Sequence, residues 1–293
     1  MQLLTRQCAD TRKRHRAARA WAGSRSCQES IIASSANRAD LLNVEGVTVR
    51  FGGITALDHV SFAVPAGRIV GLIGPNGAGK TTLFNCLSRL YQFSEGDILF
   101  EGRSLQQTPA HGIASLGIGR TFQNLALFRT MSVRQNIMLG GHCRTRSGFL
   151  SNALRLPWVG REEAGLAERT DELVHLLDLE SVAQTRVMDL PFGTQKRVEL
   201  GRALASQPKL LLLDEPAGGL NHEEVEALME LLRAIRERLQ LTMLLVEHHM
   251  NLVMRVSDQV VALDFGRVIA DGTPAEVQAN ETVVQAYLGG VAA

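Results

Sequence analysis

Along the first third of the folded chain, apolar and polar positions alternate. Val47-Thr48-Val49-Arg50-Phe51 and Val60-Ser61-Phe62-Ala63-Val64 repeat with the two-residue period of a strand buried on one face. Pro65-Ala66-Gly67 turns the chain, Arg68 to Ile73 is a short apolar strand, and Gly96 to Phe100 is another that ends at Glu101-Gly102. Short strands with tight turns predict a small antiparallel sheet beside a main sheet. Further on, Leu210-Leu211-Leu212-Leu213, Met243-Leu244-Leu245-Val246 and Val260-Val261-Ala262-Leu263 are apolar throughout, as strands buried on both faces should be. Leu166, Leu173, Val174 and Leu177 recur at helical spacing and predict helix over 161–180. Residues 124–190 as a whole hold much helix and little strand pattern, which predicts an inserted helical lobe. Val225, Leu228, Leu232, Ile235 and Leu239 mark one side of a further helix, with Asn221 as its N-cap and Glu224 three residues on. Alternating strands and helices predict an α/β fold with a mainly parallel core sheet. No internal repeat is visible.

Composition narrows the classes. Apolar residues make up 45% of 293, enough for a sizeable core. Net charge is +1, but residues 1–40 carry eight Lys/Arg against three Asp/Glu, so residues 41–293 are slightly acidic. That argues against a nucleic-acid partner. No stretch of about 18 apolar residues exists, so nothing is expected to span a bilayer. Cys8, Cys27, Cys86 and Cys143 form no CxxC pair and no metal spacing, which favours reduced thiols in a cytoplasmic protein. Residues 1–40 are rich in Arg, Ala and Ser without the apolar run of a secretory signal. They read as a disordered basic tail, an organelle-type transit segment, or translation begun too far upstream.

The candidate chemistry begins at Gly74-Pro75-Asn76-Gly77-Ala78-Gly79-Lys80-Thr81-Thr82, which fits G-x4-G-K-[ST] between a strand and a helical pattern. Glycines let backbone N–H groups turn inward around phosphate oxygens, and the helix N-terminus adds partial positive charge. Lys80 should reach the β- and γ-phosphates, and Thr81 offers a hydroxyl to Mg²⁺. Taken alone this motif means a phosphate-loop nucleotidase of some kind, kinase and GTPase included.

Leu210–Leu213 runs into Asp214-Glu215-Pro216. A carboxylate at the C-terminal end of a central strand faces the crevice where open α/β sheets bind ligands. Asp214 suits the Mg²⁺ shell, and Glu215 can orient or deprotonate an attacking water.

Further segments make a resemblance. Phe51-Gly52-Gly53 precedes the phosphate loop. Gln123, in Arg120-Thr121-Phe122-Gln123-Asn124, lies 43 residues after Lys80. Leu190-Pro191-Phe192-Gly193-Thr194-Gln195-Lys196-Arg197 precedes a helical pattern, with Gln195 19 residues before Asp214. Glu247-His248-His249 follows a buried strand, with His248 33 residues beyond Glu215. In this order, over residues 42–288, the chain resembles the ABC transporter ATPase family. A finer match is to the ATPase subunits of importers of branched-chain amino acids and of urea, amides or aromatic acids. It rests on residues 51–57, 120–124, Gly218-Gly219-Leu220-Asn221, Glu247-His248-His249-Met250 and the ending Ala286-Tyr287-Leu288-Gly289. Residues Ser147 to Trp158 resemble an insertion of that subgroup.

The resemblance implies an ATPase domain over 41–289 and assigns roles. Phe51 resembles the aromatic that stacks on adenine. Gln123 resembles the residue that contacts Mg²⁺ or the water and senses the membrane subunit. His248, with His249 as competitor, resembles the histidine that contacts the γ-phosphate. Gly193, Thr194 and Gln195 resemble the signature loop that closes over ATP held by a second subunit. Pro191 stands where serine is usual, Thr194 where glutamine is, and Asn221 where many relatives have aspartate. Losing one hydrogen bond to a charged group costs roughly 1.5–3 kcal/mol, at most about a 10- to 150-fold effect in rate. Weakened trans contacts are therefore expected.

The implied cofactors are ATP and Mg²⁺. The implied partners are a second ATPase subunit, expected to be a different chain, two transmembrane permeases and a periplasmic or extracellular solute-binding protein. The implied place is the cytoplasmic face of the inner membrane, as a peripheral subunit. A soluble ABC ATPase of DNA repair or translation would need a long coiled-coil arm or two cassettes, whereas only 67 residues separate Gln123 from Leu190. A nucleotide-gated regulator that scarcely hydrolyses is the other reading, motivated by Pro191, Thr194 and Asn221 and opposed by Lys80, Asp214, Glu215 and His248.

Overall fold

The computed structural model describes residues 40–121, 125–144 and 157–288. Gln123, most of the Ser147–Trp158 segment, residues 1–39 and Gly289 lie outside the described residues. Among the described residues the strands form two sheets. The first is antiparallel, in the order β2-β1-β4-β5, from β1 (Asp40–Phe51), β2 (Ile54–Pro65), β4 (Glu95–Phe100) and β5 (Arg103–Ser104). The second runs β10-β9-β3-β8-β7-β6, from β3 (Ile69–Ile73), β6 (Ile118–Arg120), β7 (Leu210–Asp214), β8 (Thr242–Val246), β9 (Gln259–Asp264) and β10 (Arg267–Gly272). It is parallel except for the edge strand β10, which pairs antiparallel with β9.

The apolar runs are explained by where their side chains go. In β7, Leu211 and Leu213 face one core and Leu210 and Leu212 the other. In β3, Ile69 and Ile73 are likewise opposed to Val70 and Leu72. One core joins the sheet to α3 (Val133–Gly140), α4 (Pro157–Leu176), α5 (Phe192–Ala205), α6 (His222–Leu239) and α7 (Met250–Val256). The other joins it to the antiparallel sheet and to α1 (Lys80–Leu87), with the short α2 (Ile113–Leu116) alongside. A parallel strand covered on both faces has no use for alternation. Two short helices, α8 (Pro274–Ala279) and α9 (Glu281–Leu288), follow the edge strand.

Local signals set the ends. Asn221 caps α6 in a full capping box, its side chain accepting from the Glu224 N–H while the Glu224 side chain accepts from the Asn221 N–H, each at 2.9 Å. The helix expected over 161–180 begins at Pro157 and ends at Leu176, because Asp178 turns into the left-handed region at φ 53°. Strand β6 is only three residues long, too short for a period to show in the sequence, yet it pairs in register with Leu210–Leu212. No helix among the described residues is long and apolar enough to cross a membrane.

Candidate functional site

The phosphate loop leaves β3 at Gly74 and enters α1 at Lys80. The chain can make this turn only with glycine. Gly79 sits at φ 101°, and a Cβ there would stand 2.7 Å from the Ala56 carbonyl and from Leu57 Cδ2. The loop is braced from the side by the β9–β10 turn, where the Gly266 N–H donates to the Ala78 carbonyl at 3.1 Å. From the C-terminal helix comes Tyr287, whose phenol burial pushes above its ordinary pKa while the Gly74 backbone pulls the other way.

Lys80 lies across the loop. Its Nζ donates to the carbonyls of Gly74 at 2.6 Å and Pro75 at 2.9 Å. Burial pulls its ammonium below the usual lysine value, and the Glu215 carboxylate opposes that pull. Asn76, Gly77, Ala78, Gly79, Lys80, Thr81 and Thr82 line a cleft of about 200 Å³. Glu215, His248 and Ala56 complete it.

Glu215 and His248 come from the ends of adjacent strands, β7 and β8, so their positions follow from the sheet register. Glu215 Oε1 and His248 Nε2 are 2.6 Å apart. Glu215 holds φ 48°, and its N–H donates to the Val246 carbonyl at 2.9 Å. A carboxylate beside an imidazole, facing a lysine and a ring of backbone N–H groups, can accept a proton from water and steady an anion. Of the two candidate histidines, the structure places His248 in this cleft and makes His249 the N-cap of α7.

Other expected residues stand apart. Asp214 is 5% exposed and does not line the cleft. Its Oδ2 accepts from Arg120 Nη2 at 2.8 Å. Phe51 is exposed at the end of β1 and meets Tyr91 edge-on, with centroids 5.2 Å apart. Gly193 and Thr194 line a separate cleft with Lys196, Arg197, Glu223 and Glu224. The Gln195 side chain turns back to donate to the Leu190 carbonyl at 2.8 Å. Pro191 takes the N-cap position of α5 without a side-chain hydrogen bond. Phe192 reaches the acid-pair loop instead, since a Cβ on Gly219 would lie 2.9 Å from its Cε1. A larger cleft of about 390 Å³, bordered by Leu90, Ile113, Leu139, Cys143 and Arg202, contains none of the expected nucleotide residues.

Two further residues, Arg120 and Glu247, stand in the sequence only as parts of motifs. Arg120 ties Asp214 to α1, and Glu247 is buried beneath the two loops that carry Glu215 and His248. The one available signal was their place beside residues with assigned roles.

Residues 57–218 match the family model described as ABC transporter. The chain belongs to the ABC transporter ATPases. The C-terminal residues 267–293 of this ABC ATPase match a second model, described as branched-chain amino acid ATP-binding cassette transporter. The cassette is 40% identical over 249 residues to the high-affinity branched-chain amino acid transport ATP-binding protein BraF of Pseudomonas aeruginosa, covering 85% of this chain and 98% of that one. Among solved structures it is similar to the ADP conformation of an ATP-binding cassette of an ABC transporter, with 29% identity, a TM-score of 0.74, and 86% of this chain and 99% of that one covered. It is also similar to a dimeric post-hydrolysis cassette bound to ADP and phosphate, with 25% identity, a TM-score of 0.66, and 80% and 98% covered. Like its family, this ABC ATPase binds ATP and hydrolyses it to drive transport.

Proposed function

We propose that this cassette energises uptake of branched-chain amino acids, or of related small solutes, through partner permeases. The Glu215–His248 contact of 2.6 Å at the mouth of the phosphate loop carries the hydrolytic part of this reading. The substrate class rests on the C-terminal match and on the named relative.

The residues act as follows. The loop N–H groups and Lys80 hold the β- and γ-phosphates, and Phe51 stacks on the base. Glu215 takes a proton from the attacking water as its oxygen bonds the γ-phosphorus and the bond to the ADP oxygen breaks. His248 steadies the γ-phosphate and the Glu215 carboxylate together. The donors fit Mg²⁺, which prefers oxygen ligands and keeps waters and phosphates in its shell. Thr81 and Gln123 would hold it, with the buried Asp214 acting from behind. The metal would neutralise charge on the phosphates. Gly193 and Thr194 line a cleft apart from the phosphate loop of their own chain, which supports the use of Gly193, Thr194 and Gln195 in a second cassette, as does the dimeric relative. Residues 41–289 form the ATPase domain, and the helical stretch 124–190 passes the motion to two permeases. The second cassette is a different chain, a solute-binding protein delivers the cargo, and the cassette works on the cytoplasmic face of the membrane.

The test is phosphate release by wild type and by Glu215→Gln, each alone and with the candidate permeases in lipid. Expected is turnover that rises with the permeases and falls at least about 100-fold in Glu215→Gln while ATP still binds. Full turnover in Glu215→Gln would remove Glu215 from its role. Tight binding without turnover in wild type would replace the motor with a nucleotide-gated regulator.

A further inference from the structure

Glu247 follows β8 and is 1% exposed. A buried carboxylate needs donors, and this one divides its oxygens between two loops. Oε1 accepts the Ala217 N–H at 2.6 Å. Oε2 accepts the His248 N–H at 3.0 Å and, at greater length, the His249 N–H at 3.4 Å. Glu247 is not among the residues that line the nucleotide cleft.

We propose that Glu247 is a positioning residue for ATP hydrolysis, a clamp that sets Glu215 and His248 at bonding distance by holding the two loops that carry them. The proposal deepens the hydrolytic reading and rests on it. Glu215 holds a left-handed backbone at φ 48°, a conformation that is costly for a residue with a side chain and that hydrogen bonds on either side can hold. The constraint comes from both sides. The Glu215 N–H is tied to the Val246 carbonyl, and two residues on the Ala217 N–H is tied to Glu247. The intervening Pro216 has little freedom of its own. On the other loop, His248 is fixed at its N–H by Glu247 and at its ring by Glu215. The contacts close a ring through Glu247, Ala217, Glu215 and His248.

Carboxylate chemistry is what the position requires. Both oxygens face N–H donors, so glutamine in the same place satisfies one loop and turns its own NH₂ against the N–H of the other. Aspartate is too short to reach both. Loss of one arm frees either Glu215 or His248 without touching the phosphate loop.

The experiment uses the full chain with Glu247→Gln, His248→Ala and the double variant. It measures kcat, KM for ATP and amide hydrogen exchange. Expected for Glu247→Gln is kcat lower by about 10- to 100-fold, with KM within about twofold and an unfolding midpoint that falls but stays above the assay temperature. In the His248→Ala background the further loss shrinks to a few-fold, because the clamp has less left to position. Exchange at the Ala217 or His248 amide rises while amides of α1 stay as they were. Wild-type kcat in Glu247→Gln overturns the proposal, and so do equal losses in both backgrounds. If Glu247→Gln does not fold, exchange in wild type decides: a slow Ala217 amide supports the clamp and a fast one overturns it. A wild type that binds ATP without turnover sinks the hydrolytic reading, and the exchange comparison still decides whether the clamp exists.

Discussion

Arg120 and Asp214 form a nearly buried ion pair, Nη2 to Oδ2 at 2.8 Å, joining the ends of β6 and β7. The same guanidinium donates through Nη1 to Asn85 Oδ1 at 2.9 Å and Ser88 Oγ at 3.0 Å, and lies 5.7 Å above the ring of Phe84. The helix behind the phosphate loop and the strand that carries the acid pair thus share one cation.

Arg120→Met keeps much of the stem volume and leaves Asp214 buried without that cation. Breaking a buried pair from one side typically costs about 3–5 kcal/mol. Denaturant unfolding should show a loss of that order. Arg120→Met with Asp214→Asn should lose less than the two single variants added together. Additive losses would show that the pair contributes nothing as a pair.

Phe51→Ala should weaken ATP binding by roughly 5- to 150-fold, the range that follows from about 1–3 kcal/mol for stacking a base on an aromatic ring. Stability should change little, because Phe51 is 46% exposed. Phe51→Trp should retain affinity. Titration with a fluorescent nucleotide measures this, and unchanged affinity in Phe51→Ala would reduce Phe51 to a partner for Tyr91.

Burial pushes the Cys86 thiol up to about 11 from 9.0. The folded chain therefore keeps a proton that the unfolded chain gives up above pH 9. Stability from this group is complete below pH 9 and falls through the window from 9 to about 11, by on the order of 2–3 kcal/mol at most. At pH 8, iodoacetamide should modify the exposed Cys143 and spare Cys86 until the chain unfolds. Peptide mapping by mass resolves the two. Equal labelling rates in the native state would contradict the burial.

What the sequence made legible was local. Leu210–Leu213 read as a doubly buried strand because four leucines in a row suit no half-exposed element, and Asn221 with Glu224 announced a helix start because capping needs only four residues. Glu215 and His248 were each singled out through the family order of motifs, but their contact with one another was not. Three other relationships were out of reach, and all span long separations: Arg120 with Asp214, Glu247 with Ala217, and Phe192 against Gly219. Each joins segments that only the folded sheet and its helices bring together, and no periodicity in either segment encodes the other. Asp214 shows the same limit from the other side. Its place at a strand end was clear, but the cation that occupies one of its oxygens comes from a strand too short to announce itself.

Lys80 has three N–H donors, and the Gly74 and Pro75 carbonyls take two. The loop's own carbonyls thereby hold this long side chain in place and aim the remaining donor. Arginine cannot inherit the arrangement, because a planar fork cannot give two donors to carbonyls of its own loop and a third, tetrahedrally placed, to phosphate. The loop therefore chooses its cation by shape as well as by charge.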